Sequence, residues 1–170
     1  MSFASVSYPS DPAKRYALLL EQASALMAGI DHPISNMANV AALLYQALDD
    51  INWCGFYLMD RGALMLGPFC GLPACIRIPL ERGVCGAAAR LDAVQRVFDV
   101  HAFPGHIACD SASNSEIVIP IHHGEKVIGV LDIDSPTIGR FSEIDQKSLE
   151  SLVRLIESSC DFRKTGYTLA

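Results

Sequence analysis

Residues 116–134 read EIVIPIHHGEKVIGVLDID, and this stretch decides the fold class. Two short apolar or alternating runs, 116–122 and 126–134, flank His123-Gly124-Glu125, so the pattern predicts two strands joined in a hairpin. Working outward, 53–59 and 63–69 make a second hairpin around Asp60-Arg61-Gly62, and 74–79 and 94–98 read as two more strands. Helical periodicity frames these strands. Asp11-Pro12 offers an N-cap and a first-turn proline, and Tyr16, Leu19, Leu20, Ala23, Leu26 and Met27 recur at helix spacing up to Gly29. A second helix is expected over about 34–48, through Met37, Val40, Ala41, Leu44 and Ala47, and a short one over 83–90, packed through Val84 and the alanines. The last starts at Ser142, with Asp145 as its capping partner and Ile144, Leu149, Leu152, Val153 and Ile156 on one face. The expected architecture is an α+β sandwich, an antiparallel sheet of five or six strands covered by the two N-terminal helices and the C-terminal helix. Only 1–10 and 161–170 read as loosely attached.

Size and charge narrow the function. At 170 residues the chain is expected to be one domain, 1–170, with a substantial core. A net charge of −6 without a Lys/Arg cluster argues against nucleic acid, whose phosphates would be repelled. The longest apolar runs fall far short of the roughly 20 residues that a membrane span needs, and the first residues do not resemble a signal peptide. The expected compartment is therefore the cytoplasm, where six cysteines point to catalysis, metal binding or burial rather than to permanent disulfides. No CxxC or HxxxH pair and no GxxxxGK[ST] loop is present, so neither a metal site nor a bound cofactor is expected. His101 and His106 read as groups flanking and ordering a loop, and His122 and His123 as solvated turn residues.

The chemistry concentrates in and around 99–115, seventeen residues with little periodicity, a length uncommon inside a compact domain unless it serves a site. Cys109 lies there in FPGHIACDSASNSE, while Cys75 and Cys85 lie in PACIRIP and ERGVCGAAA. Glu116 begins one strand, and Asp132 and Asp134, two apart on another, project from one sheet face. Crowded carboxylates raise at least one pKa in the group, which suits a proton donor, and they can hold an ammonium. Each residue also has a structural reading: cysteines as small buried hydrophobes, the aspartates as strand-end groups, Trp53 as core.

NWCGFYL, LGPF, PACIRIP, RGVCG, DVHAFPGHIACDSASNSEIVIPI and GVLDIDSP, in this order over about 52–145, resemble the free methionine-(R)-sulfoxide reductases, which are GAF-domain enzymes. The resemblance implies a GAF-like fold and reduction of free L-methionine-(R)-S-oxide to methionine. It implies Cys109 as the nucleophile, left as a sulfenic acid, and Cys75 as the resolving thiol that forms an intramolecular disulfide, recycled by thioredoxin as external reductant. Cys85 also matches a family cysteine, with two roles open, disulfide relay or second resolving thiol. Cys70, five residues before Cys75, stays open as a competing thiol. Glu116, Asp132 and Asp134 match pocket carboxylates and Trp53 and Tyr57 an aromatic wall. A homodimer is also implied. The alternative is a GAF regulatory module that binds a small ligand or senses oxidants through Cys109; an output domain would be expected with it, so the length favours the enzyme.

Overall fold

The computed structural model describes residues 6–105 and 110–167. Asp11 accepts a hydrogen bond from the Lys14 amide at 2.9 Å, and with Pro12 in the first turn it starts α1 (Pro12–Met27). His32 and Pro33 repeat the device for α2 (Pro33–Ala47), where the imidazole accepts from the Ser35 amide. There follow β1 (Trp53–Asp60), β2 (Ala63–Gly71), β3 (Arg77–Pro79), α3 (Gly83–Leu91), β4 (Gln95–Val97), β5 (Ser115–His123), β6 (Lys126–Ser135) and α4 (Glu143–Ser159). All six strands join one antiparallel sheet in the order β3-β2-β1-β6-β5-β4, so the two hairpins meet through β1 and β6 at its centre. Pro120, on β5, lies past the end of its pairing with β4, so its missing N–H takes nothing from that strand.

Strand periodicity divides the sheet into two unlike faces. Cys54, Phe56 and Leu58 of β1, Ile117, Ile119 and Ile121 of β5 and Leu131 and Ile133 of β6 join the buried residues of α1, α2 and α4 in the larger core. Trp53, Tyr57 and Met59, with Val118 and Val130, point the other way, into a smaller core closed by Val84, Cys85, Ala88 and Ala89 of α3. The expected three helices thus lie on one side of the sheet, and α3 lies on the other.

Four expectations are corrected. Ile144 is 47% exposed, because it precedes Leu149 by five residues and so lies about 140° around α4 from it. The strand expected over 74–79 shortens to Arg77–Pro79. Neither described end is loose: Phe162, in a 3-10 turn (Phe162–Thr165), is fully buried in the larger core, and Tyr8 packs against that core with its hydroxyl hydrogen-bonded to Gln22. His122 is not solvated. A register shift after Ile121 re-aims it, and its ring lies between Asp92 at 2.7 Å and Glu157 at 3.1 Å. Partial burial alone would lower its pKa, but the hydrogen bonds and charges of the two carboxylates outweigh that and raise it.

The α4 cap ties the helical layer together. Ser142 and Asp145 form a capping box, and the buried Asp145 carboxylate also accepts from the Tyr16 hydroxyl at 2.7 Å and from Arg140 at 3.2 Å. These bonds hold its pKa down against burial, which would raise it.

Candidate active site

The smaller core is built from a row of cross-strand neighbours. Trp53 of β1 stands opposite Asp134 of β6, which stands opposite Glu116 of β5. Asp132, two residues before Asp134, shares its face and stands opposite Gly55 and Val118. Three carboxyl groups therefore converge on the face that α3 covers, and α3 adds Cys85, whose Sγ lies 3.2 Å from Asp132 Oδ2 and 4.0 Å from Glu116 Oε1.

The wall is aromatic. The Trp53 ring stacks on Tyr57 at 5.8 Å and on Phe69 at 5.4 Å between centroids. Trp53 Nε1 donates to the Leu72 carbonyl and the Tyr57 hydroxyl to the Cys75 carbonyl, both at 3.1 Å, so the rings are fastened to the loop leading to β3. Gly55 makes the stack possible, since a Cβ there would come within 2.7 Å of the Trp53 ring. Trp53, Tyr57, Cys85 and the three carboxyl groups, with Pro73, Ala74, Val84 and Ser113, line one cavity.

Burial sets the protonation of the cluster. It pushes Glu116 and Asp134 well above the carboxylate range, and the neighbouring charge of Asp132 pushes both further. Burial also raises Asp132, to about 6, while hydrogen bonds from Cys85 and Glu116 restrain the shift. Asp132 is thus the carboxylate of the three best placed to ionise, with protons held by Glu116 and Asp134. Burial, with the carboxylates beside it, likewise keeps Cys85 a thiol. Asp132 is 6% exposed, and among the described residues its Oδ1 has no hydrogen-bond partner, which leaves a buried acceptor at the cavity. The group can therefore both receive a cation and supply a proton. Among the described residues, Cys85, Glu116 and Asp132 also each offer a possible metal-ligand atom, all within 4.8 Å of one another.

Six of the eight expected site residues, Trp53, Tyr57, Cys85, Glu116, Asp132 and Asp134, line this one cavity. Cys75 packs against the same core and is disulfide-bonded, whereas Cys54, Cys70, Cys85 and Cys160 are free thiols. Cys109 and His106 lie outside the described residues. His101 is exposed and hydrogen-bonds the Asn114 side chain at 3.0 Å. Cys70 stands opposite Cys54 in the sheet and packs against the larger core, on the face away from the cavity.

A GAF domain model matches residues 35–159, about three-quarters of the chain. The free methionine-R-sulfoxide reductase of Escherichia coli (strain K12) is 52% identical over 152 residues, which cover 88% of this chain and 92% of that protein. This chain belongs to the free methionine-R-sulfoxide reductase family of GAF-domain proteins. The enzyme of that name from Saccharomyces cerevisiae is 40% identical over 168 residues, 93% of each chain. The X-ray structure of the Neisseria meningitidis enzyme in complex with its substrate superposes with a TM-score of 0.88 at 41% identity, covering 93% of this chain and 95% of that one. The fold expected from the family resemblance is the one observed, with six strands in the sheet.

Two residues lining this reductase-family pocket, Asp110 and Ser113, and one that holds them, Asn52, were not marked by the sequence. Asn52 donates to Asp110 at 2.9 Å and to Ser113 at 3.0 Å, and Ser113 hydrogen-bonds Asp134. Asp110 accepts from the Ala112 amide, and that bond, then the one from Asn52, lowers its pKa. The available signal was Asp110-Ser111-Ala112-Ser113, an Asp/Ser run of the kind that folds a turn on its own side chains. Nothing in the sequence around Asn52 marked it.

Proposed function

We propose that this protein reduces free L-methionine-(R)-S-oxide to L-methionine by thiol chemistry in the cavity between α3 and the sheet. The observation that carries the reading is the row Glu116, Asp134, Trp53 with Asp132 beside it. It places three carboxyl groups, two of them buried, in graded protonation states next to an aromatic wall, in a chain that belongs to the free methionine-R-sulfoxide reductases.

In this reading Asp132 ionises against the substrate ammonium, and Trp53 and Tyr57 flank its methyl and methylene groups. The Cys109 thiolate attacks the sulfoxide sulfur, and the carboxyl of Glu116 or Asp134 gives the oxygen its proton. Methionine leaves with its sulfur reduced, and Cys109 becomes a sulfenic acid. The Cys75 thiol then attacks that sulfur, releases water and closes a disulfide, which thioredoxin opens by exchange. The disulfide-bonded state of Cys75 beside the cavity supports the resolving role, and the position of Cys70 on the opposite face favours Cys75 over it. The protein acts without a resident cofactor, as a homodimer, in the cytoplasm.

Selectivity for the free amino acid follows from burial. A peptide nitrogen carries no charge, and an ionised carboxylate buried without its partner costs several kcal/mol, on the order of a thousandfold in affinity. A thioredoxin-coupled assay on free R-sulfoxide, free S-sulfoxide and a peptide-bound sulfoxide tests the reading. Turnover of the free R form alone is expected, and equal turnover of the peptide would refute the carboxylate pocket.

A further inference from the structure

Cys85 is a buried thiol within reach of two buried carboxyl groups, and its sulfur is 3.2 Å from one carboxylate oxygen and 4.0 Å from the other. A zinc ion with Zn–S near 2.3 Å and Zn–O near 2.0–2.2 Å, at a tetrahedral angle, holds sulfur and oxygen about 3.6 Å apart. The two observed separations bracket that value, so a shift of about 0.4 Å in each brings both sulfur–oxygen pairs to it, and the three ligand atoms already lie within 4.8 Å of one another. Asp132 Oδ1 is buried and, among the described residues, has no hydrogen-bond partner in the geometry of the site, which adds an acceptor facing the cavity.

We propose that Cys85, Glu116 and Asp132 form a zinc site, and that zinc bound there inhibits the enzyme by occupying the place of the substrate ammonium. The donor set selects the metal. A thiolate with two carboxylates suits a borderline-soft ion such as Zn²⁺ or Cd²⁺, whereas Mg²⁺ and Ca²⁺ take all-oxygen shells of six or more. Binding displaces the thiol proton of Cys85 and the carboxyl proton of Glu116, so affinity rises with pH. No CxxC or HxxxH spacing announces such a site, because its ligands come from α3, β5 and β6, at positions 85, 116 and 132. The inhibitory half of this inference rests on the proposed reductase activity; the ligand set rests on geometry alone.

The test titrates the reduced full-length protein with Cd²⁺ and reads the thiolate-to-metal charge-transfer absorption, then repeats the titration with Zn²⁺ by calorimetry. One equivalent is expected. Cys85→Ser should weaken binding by more than about 100-fold, beyond the 10–100-fold lost when a mere outer-shell partner is removed. Cys70→Ser and Cys109→Ser should keep the absorption band. Zn²⁺ should raise the apparent KM for the sulfoxide without changing kcat, and Mg²⁺ at the same concentration should do nothing. Should Cys85→Ser not fold, Glu116→Gln gives the reading: at least tenfold weaker binding supports the site, and unchanged binding overturns it. A band that survives Cys85→Ser and vanishes in Cys109→Ser also overturns it. Metal binding as expected in a protein without sulfoxide reductase activity would sink the proposed function and leave the metal site standing; activity without metal binding would do the reverse.

Discussion

The two faces of the sheet are made by the same strands and have opposite contents. Under α1, α2 and α4 the middles of β1, β5 and β6 are apolar, with Phe56, Leu58, Ile117, Ile121, Leu131 and Ile133 at 0% exposure. Under α3 the alternate positions of the same strands carry Glu116 and Asp132, which are buried, and Asp134, which is half-buried. One face contributes stability through area removed from water. The other face holds carboxyl groups whose burial opposes their ionisation, which destabilises the protein at neutral pH and makes them chemically useful. Since the strands are shared, the helical face must offset the strain placed on the α3 face.

The sharpest break of this contrast is expected at Cys109. Cys109→Ser should lower turnover by roughly three orders of magnitude or more, as removal of a nucleophile does, with the thermal midpoint unchanged. More than a few per cent of residual activity in the coupled assay would mean that the nucleophile is elsewhere. On the helical face, Leu131→Ala should remove about 2–5 kcal/mol of stability in a urea titration and leave kcat/KM of the folded protein near wild type. A large loss of kcat/KM there would show that the faces are not separable.

Asp134→Asn reverses that pattern. It should lower kcat/KM by about 100-fold and raise the urea midpoint, since a buried ionisable group is replaced by a neutral one of equal shape. A destabilised, active variant would contradict it. The pH dependence sharpens the same point. Asp132 titrates near 6 in the folded protein and near its ordinary value of 3.8 when unfolded, so the folded state binds the proton more tightly. Stability should therefore fall as pH rises from about 4 to about 6, and Asp132→Asn should flatten that part of the curve. A rise over this window in wild type would refute the assignment. The smallest effect belongs to Ser113→Ala, which removes one hydrogen bond to Asp134 and should cost roughly tenfold in kcat/KM, with recovery in Ser113→Thr.

Much of this division was legible before any coordinates. Apolar alternation gave the strands, and the interval of two between Asp132 and Asp134 put both on one face. What the chain did not disclose depends on contacts distant in sequence. The side of the sheet on which α3 lies is decided by the packing of Val84 and the alanines against Val118 and Val130. His122 read as a turn residue because a single-residue register shift, invisible in composition, turns it toward Asp92 and Glu157. Asn52 entered the site through Asp110 and Ser113, about sixty positions later. Cys70 sat close to Cys75 in the chain, yet the pleat sends it to the other face.

The alternation Leu131, Asp132, Ile133, Asp134 also bears on how the chain finds its fold. A slip of β6 by one position would turn both aspartates into the apolar layer beneath the three helices and swing Leu131 and Ile133 out of it. Two carboxyl groups without partners there would cost several kcal/mol, more than enough to melt the misregistered pairing. The residues assigned to hold and protonate the substrate thus also act as a proofreading mark for strand alignment, and a variant with both aspartates made apolar would lose its discrimination between registers along with its chemistry.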